Sequence, residues 1–267
     1  MTASVVLGNE SSVQMPIQVV DATFGSVPRS CGIPDTNPVS AGFNGILGVG
    51  PLAYDCGQIC VSTAVGQYYS CRGTTCSGTA VPLSNQVPNP VAVLPSDNNG
   101  LIVQLPAISA AGASSVSGSL VLGIGTKANN TPSGVTTFTV DQYNEFTTTY
   151  RGAAYSGFID TGSNGLFFPA SGLITSCSSG WFCPSSVMNL SAGITGSSGS
   201  PNATVSFQIG NFNSLTNSAN NVFNDIGGDS MGSPSFDWGL PFYFGRNVFI
   251  GIDGKTSSLG TGPYFAY

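Results

Sequence analysis

Glycine and proline break this chain into short apolar pieces, and that limits what it can become. Of 267 residues, 36 are Gly and 17 are Pro, where ~7% Gly is usual. Ser, Thr and Asn fill many of the gaps between apolar runs. Gly and Pro disfavour helix interiors and favour turns. Many short strands joined by turns are expected, which is an all-β protein. Only 7% of residues are charged, but 41% are hydrophobic and 10% aromatic, so the chain reads as a packed fold and not as a disordered one. Its length allows one large domain or two lobes.

The same composition excludes several functions. Twelve acids face six bases, a formal net charge of −6. There is no cationic surface to neutralise phosphates, so no nucleic-acid partner is expected. No run of ~18 uninterrupted apolar residues occurs, so no transmembrane segment is expected. The chain contains no histidine. That rules out Ser-His-Asp and Cys-His nucleophile systems and His-ligated zinc. Hydrolytic chemistry here would have to use carboxylates, hydroxyls or a metal held by oxygen. No cofactor is called for, and no metal.

The seven cysteines are Cys31, Cys56, Cys60, Cys71, Cys76, Cys177 and Cys183. All lie in Gly/Ser-rich stretches. The spacings Cys56-x3-Cys60 and Cys71-x4-Cys76 are too loose for a convincing zinc knot, and an acidic, Lys-poor chain suits an extracytoplasmic protein, so disulfides are favoured. Those four cysteines allow three pairings, which the sequence leaves open. Cys177 and Cys183 are expected to pair around the Trp181 loop, leaving Cys31 unmatched. The first residues, Met1-Thr2-Ala3-Ser4-Val5, read as a strand already under way and carry no secretion signal. The expectation is therefore a secreted, periplasmic or cell-surface protein whose natural sequence starts upstream of Met1.

Strands are expected at Val5–Leu7, Ile17–Val20, Val91–Leu94, Leu101–Leu105 and Ser119–Ile124, with a short helix within Val81–Asn89. Thr136–Val140 and Ala203–Ile209 alternate apolar and polar residues as half-buried strands do. Gly45-Ile46-Leu47-Gly48-Val49-Gly50 reads as a strand with glycines for close backbone approach. Phe242–Ile252 and Pro263–Tyr267 close the chain with two apolar runs.

Chemistry concentrates in Phe158-Ile159-Asp160-Thr161-Gly162-Ser163-Asn164-Gly165-Leu166-Phe167-Phe168. Asp-Thr-Gly by itself is an ordinary turn sequence. Between two apolar strands it also suits an active-site loop. There Asp160 supplies a carboxylate, Thr161 and Ser163 supply hydroxyls to hold it, and Gly162 permits close packing. Asn164 and Leu166 are candidates to line a cleft. Asp237, beside Trp238, reads as a turn residue next to a packed aromatic. Arg246 reads as an ion-pair or carbonyl-binding residue.

The order of these segments resembles the pepsin-like aspartic peptidases. Phe158-Ile159-Asp160-Thr161-Gly162-Ser163 is similar to the aspartate loop of that family's second lobe. Asn44 to Gly50 is similar to the apolar-Gly segment of its first lobe, Gly118 to Gly125 to its inter-lobe strand, and Leu240 to Asp253 to its C-terminal strand pair. Ser235-Phe236-Asp237-Trp238-Gly239-Leu240-Pro241-Phe242, Phe158 to Pro169 and Gly262-Pro263-Tyr264 resemble a secreted bacterial pepsin-like group without an assigned activity. The resemblance implies a bilobal all-β fold. Residues 1–124 would be a partial first lobe with inter-lobe strands, and residues 125–267 a complete second lobe. It implies peptide-bond hydrolysis of a peptide or protein substrate, with Asp160 as one of two catalytic aspartates.

Two departures qualify this. Pro241 stands about where the second apolar-Gly glycine is expected, leaving Gly239 to make that contact. No other Asp occurs in an Asp-Thr/Ser-Gly sequence, so the isolated monomer is expected to be inactive. A homodimer that pairs two copies of Asp160 is not favoured, since the chain already resembles most of two lobes. The alternative is a non-catalytic binding or inhibitor-like protein on the same fold.

Overall fold

The computed structural model describes residues 1–21, 23, 37–170, 172–177, 180–230 and 232–267. Cys31 and most of the Pro/Ser/Gly-rich loop around it lie outside the described residues. The chain forms two compact units, Met1–Asn98 and Asn99–Tyr267.

Among its described residues, the first unit has little regular structure. Strands β1 (Thr2–Val5) and β2 (Val13–Pro16) pair as one hairpin, and β3 (Tyr69–Arg72) and β4 (Thr75–Gly78) as another. Two single-turn helices, α1 (Pro38–Ala41) and α2 (Ile59–Ser62), lie between the hairpins. Cys56 bonds Cys60 and Cys71 bonds Cys76, which settles the pairing in favour of nearest neighbours. Buried Gln86 does what apolar packing does elsewhere: its amide donates to the Gly57 and Val81 carbonyls and accepts from the Gly57 N–H.

Four strand expectations fail or shift in this unit. The first hairpin lies a few residues earlier than Val5–Leu7 and Ile17–Val20. Val91–Val93 is a 3-10 turn and not a strand, because Pro90 lacks an amide hydrogen and the Asn89 side chain accepts from the Val91 N–H. Gly45–Gly50 is not a strand either. No strand pairs with it among the described residues, and Ile46 and Leu47 are 80% and 56% exposed.

The second unit holds the core, in two sheets. One runs β6 (Ser119–Leu122), β5 (Gly100–Leu105), β15 (Arg246–Gly251), β18 (Tyr264–Ala266), β7 (Thr137–Thr139). The other runs β12 (Asn202–Ile209), β11 (Met188–Thr195), β8 (Phe146–Tyr150), β9 (Ala153–Ile159), β14 (Ser235–Trp238), β10 (Leu166–Phe168), β13 (Gly227–Asp229). A small hairpin, β16 (Thr256–Ser257) with β17 (Gly260–Thr261), and the short helix α3 (Phe212–Thr216) complete it. β6, whose segment resembles an inter-lobe strand, pairs with β5, and β5 pairs in turn with β15.

Alternation explains the sheets. Phe146, Thr148 and Tyr150 of β8 are buried while Thr147 and Thr149 are exposed. Val205 and Ile209 of β12 face the core, as expected. Phe168, Phe236 and Trp238 are fully buried and stack in sequence, with centroids 4.9 Å and 4.4 Å apart. Burying each such ring contributes about 2–3 kcal/mol. Phe242 links the sheets: its ring meets Trp238 at 5.6 Å and Tyr267 at 4.9 Å.

Candidate functional site

β9 ends at buried Ile159, and Asp160 is the next residue. Its backbone N–H donates to the Trp238 carbonyl at 3.1 Å, so the tie to β14 continues one residue past the end of β9. Its carboxylate is held from both sides. The Gly162 N–H donates to Oδ1 at 2.7 Å and the Ser163 hydroxyl to Oδ2 at 3.0 Å. A Cβ on Gly162 would stand 3.1 Å from Oδ1, so glycine keeps that approach open. Thr161 is exposed, and its hydroxyl makes no hydrogen bond among the described residues. Of the two hydroxyls expected to hold Asp160, Ser163 does so directly.

The loop is locked by a distant strand. β14 lies between β9 and β10, parallel to the first and antiparallel to the second. Past Trp238 the backbone passes so close to the loop that a Cβ on Gly239 would run into the Gly165 carbonyl and lie 2.6 Å from the Ser163 carbonyl oxygen. The next amide, Leu240 N–H, donates to that Ser163 oxygen at 2.7 Å. Gly239 thus makes the close contact, while Pro241 lies in the 3-10 turn Leu240–Tyr243.

Asp237 corrects its reading as a turn residue. It sits within β14, opposite Phe158 on one side and Phe167 on the other. It is 8% exposed, and its buried Oδ1 has no hydrogen-bond partner. Burial pushes its carboxyl up to about 6; the Ser163 hydroxyl opposes that rise and the Asp160 charge adds to it. Buried Tyr243 feels the same acids: its hydroxyl is pushed far above the ordinary tyrosine range, first by burial, then by Asp160 and Asp237. The site therefore gathers two carboxyls, a phenol and the Ser163 hydroxyl, which is bonded to Asp160. The sequence did hold a signal for Asp237, a lone acid inside the otherwise apolar run Phe236–Phe244.

Asn164 is exposed and borders a pocket of about 370 Å³, beside Leu240 and the stacked pair Trp181–Phe212, whose centroids are 4.7 Å apart. Leu166 is buried and contributes to the wall of a second groove, about 660 Å³, with Trp238, Phe242 and Arg246. Arg246 donates to the Phe242 carbonyl and lies 4.6 Å over its ring, the carbonyl-binding role expected of it. The Cys177–Cys183 disulfide closes the Trp181 loop. Among the described residues, no three Cys, Asp or Glu side chains gather closely enough to hold a metal ion.

These features define an all-β protein with a hydroxyl-held carboxylate on a glycine-locked loop and a second carboxyl buried beneath it. Over residues 1–267 the chain matches the family model described as "Protein of unknown function (DUF3443)", and it belongs to that family. No curated protein and no solved structure matches it.

Proposed function

We propose that this chain carries one arm of an aspartic-peptidase-type hydrolytic site, of the pepsin-like kind, directed at peptide bonds. The observation that supports it most is the Asp160 loop. A carboxylate at a strand end accepts hydrogen bonds from the Gly162 amide and the Ser163 hydroxyl, and Gly239 of an intervening strand locks the loop from behind. In such a site two carboxyls share one proton, because like charges at close range do not both ionise. One accepts a proton from the attacking water while the other protonates the substrate carbonyl oxygen. Asp160 has the accessibility that either role demands. Asp237 does not, since a side chain this buried cannot touch a substrate. The second accessible acid must come from another Asp-Thr/Ser-Gly loop, and this sequence contains no other. The three disulfides and the scarcity of charge support a secreted, periplasmic or cell-surface location.

The test is proteolysis of a denatured protein in mild acid, with and without pepstatin. The 267-residue chain alone should not cleave; pepstatin-sensitive cleavage by it overturns the two-acid requirement. The chain complemented with a second Asp-Thr/Ser-Gly loop should cleave, and Asp160→Asn should abolish that activity. Cleavage that survives Asp160→Asn removes Asp160 from the chemistry.

A further inference from the structure

Arg246 is a cation without a counter-ion. It opens β15 and is half-buried, and no carboxylate pairs with it among the described residues. Its Nη1 donates to the Phe242 carbonyl, and its guanidinium lies 4.6 Å over the Phe242 ring. Those contacts hold the side chain in place but bring no counter-charge. Tyr267, the titratable group that acts on it, brings none either, because burial pushes that phenol far above the ordinary tyrosine range. A charge taken partly out of water and left unpaired is destabilising. The guanidinium fork has further N–H groups to offer.

The space beside this charge is a groove of about 660 Å³, a size common among small-molecule sites. Its walls are largely apolar: Leu166, Val205, Phe207, Trp238, Phe242 and Phe244. Arg246 is the one charged side chain among the described residues that line it. Two of the groove's amides are already engaged. Gln208 donates to the Asn189 side chain at 2.8 Å and Asn224 to the Ile108 carbonyl at 3.2 Å. A peptide would bring an N–H and a C=O for every residue, and each one left unmatched weakens binding. A hydrocarbon chain brings neither.

Charge selects the head group. A phosphate monoester carries about −1.5 to −2, more than one guanidinium balances. The chain around it already has a formal net charge of −6. A carboxylate is a monoanion whose two oxygens match the guanidinium fork.

We propose that the groove Arg246 shares with β11 and β12 binds an aliphatic monocarboxylic acid, its carboxylate on the Arg246 guanidinium and its chain against the apolar walls. The proposal does not rest on the reading of Asp160 as a hydrolytic carboxyl.

The experiment is a calorimetric titration of the folded 267-residue chain with sodium octanoate, and with octanol and octyl phosphate for comparison. Octanoate should saturate a single site. Octanol has the same chain without the charge and should bind about tenfold more weakly or worse, the worth of a hydrogen bond to a charged group. Octyl phosphate should also bind more weakly than octanoate. Nitrogen-15 NMR locates the ligand: octanoate should shift the Arg246 Nε resonance and leave those of Arg72 and Arg151 in place. Arg246→Gln should weaken octanoate by about tenfold and leave octanol unchanged. Equal affinity for octanoate and octanol overturns the proposal, as does an Arg246 resonance that octanoate leaves unmoved. Both are read on the unmodified protein, so they decide the question even if Arg246→Gln does not fold. Octyl phosphate or an acetylated leucine dipeptide binding more tightly than octanoate overturns the aliphatic carboxylate as the ligand class. No peptide cleavage is read, so proteolysis that survives Asp160→Asn sinks the hydrolytic reading alone.

Discussion

Asp237→Asn should flatten the pH dependence of stability between pH 3.8 and about 6. The carboxyl titrates at the ordinary 3.8 in the unfolded chain and is raised to about 6 by burial, with the Asp160 charge adding to the rise. The folded protein therefore holds this proton more tightly than the unfolded chain does. The resulting stabilisation is complete below pH 3.8, declines as pH rises, and is gone once pH passes about 6. At about 1.4 kcal/mol per pH unit, the whole effect is about 3 kcal/mol. The assay is urea denaturation of both proteins across that range, followed by tryptophan fluorescence. At an m-value of about 2 kcal/mol/M, the two midpoints should drift relative to each other by about 1–2 M. Asp225, also raised by burial, titrates in both proteins and cancels in the difference. Parallel curves would mean that Asp237 is no more protonated in the folded chain than in the unfolded one, and the reasoning from burial would be wrong.

Gly239→Ala places a methyl group against the Gly165 and Ser163 carbonyls, both backbone atoms. It should destabilise the second unit by about 2–3 kcal/mol in urea. Thr148→Val leaves the buried Trp238 indole N–H without its 3.0 Å acceptor, which should cost about 1–3 kcal/mol, read from the thermal midpoint by circular dichroism. Replacing Cys177 and Cys183 together by Ala opens a short loop and should lower stability by about 2 kcal/mol in the same assay.

Local signals made much of the second unit legible. The alternation in Thr136–Val140 and Ala203–Ile209 has a period of two, which only a strand satisfies, and both became strands. The Asp160 loop was readable because Asp160, Gly162 and Ser163 are sequence neighbours that bond one another. Asp237 was misread because its meaning is not local. Nothing beside it shows that β9 and β10 will close around it, and an acid next to Trp238 has the composition of a turn. Gly45–Gly50 failed for a related reason: a strand needs a partner, and an apolar-Gly pattern does not supply one. Nearest-neighbour pairing of the four clustered cysteines depended on the β3–β4 hairpin, whose register sets Cys71 opposite Cys76.

The order in which this molecule is synthesised follows from where β14 lies. Asp160 leaves the ribosome roughly eighty residues before Gly239, the wedge that fixes its loop in place. Until that wedge arrives, the two halves of the acid's hairpin have no central rung to grip, and such long-range closure is slow. A chain cut short before residue 235 would display the carboxylate without Ser235–Leu240, the segment that holds it.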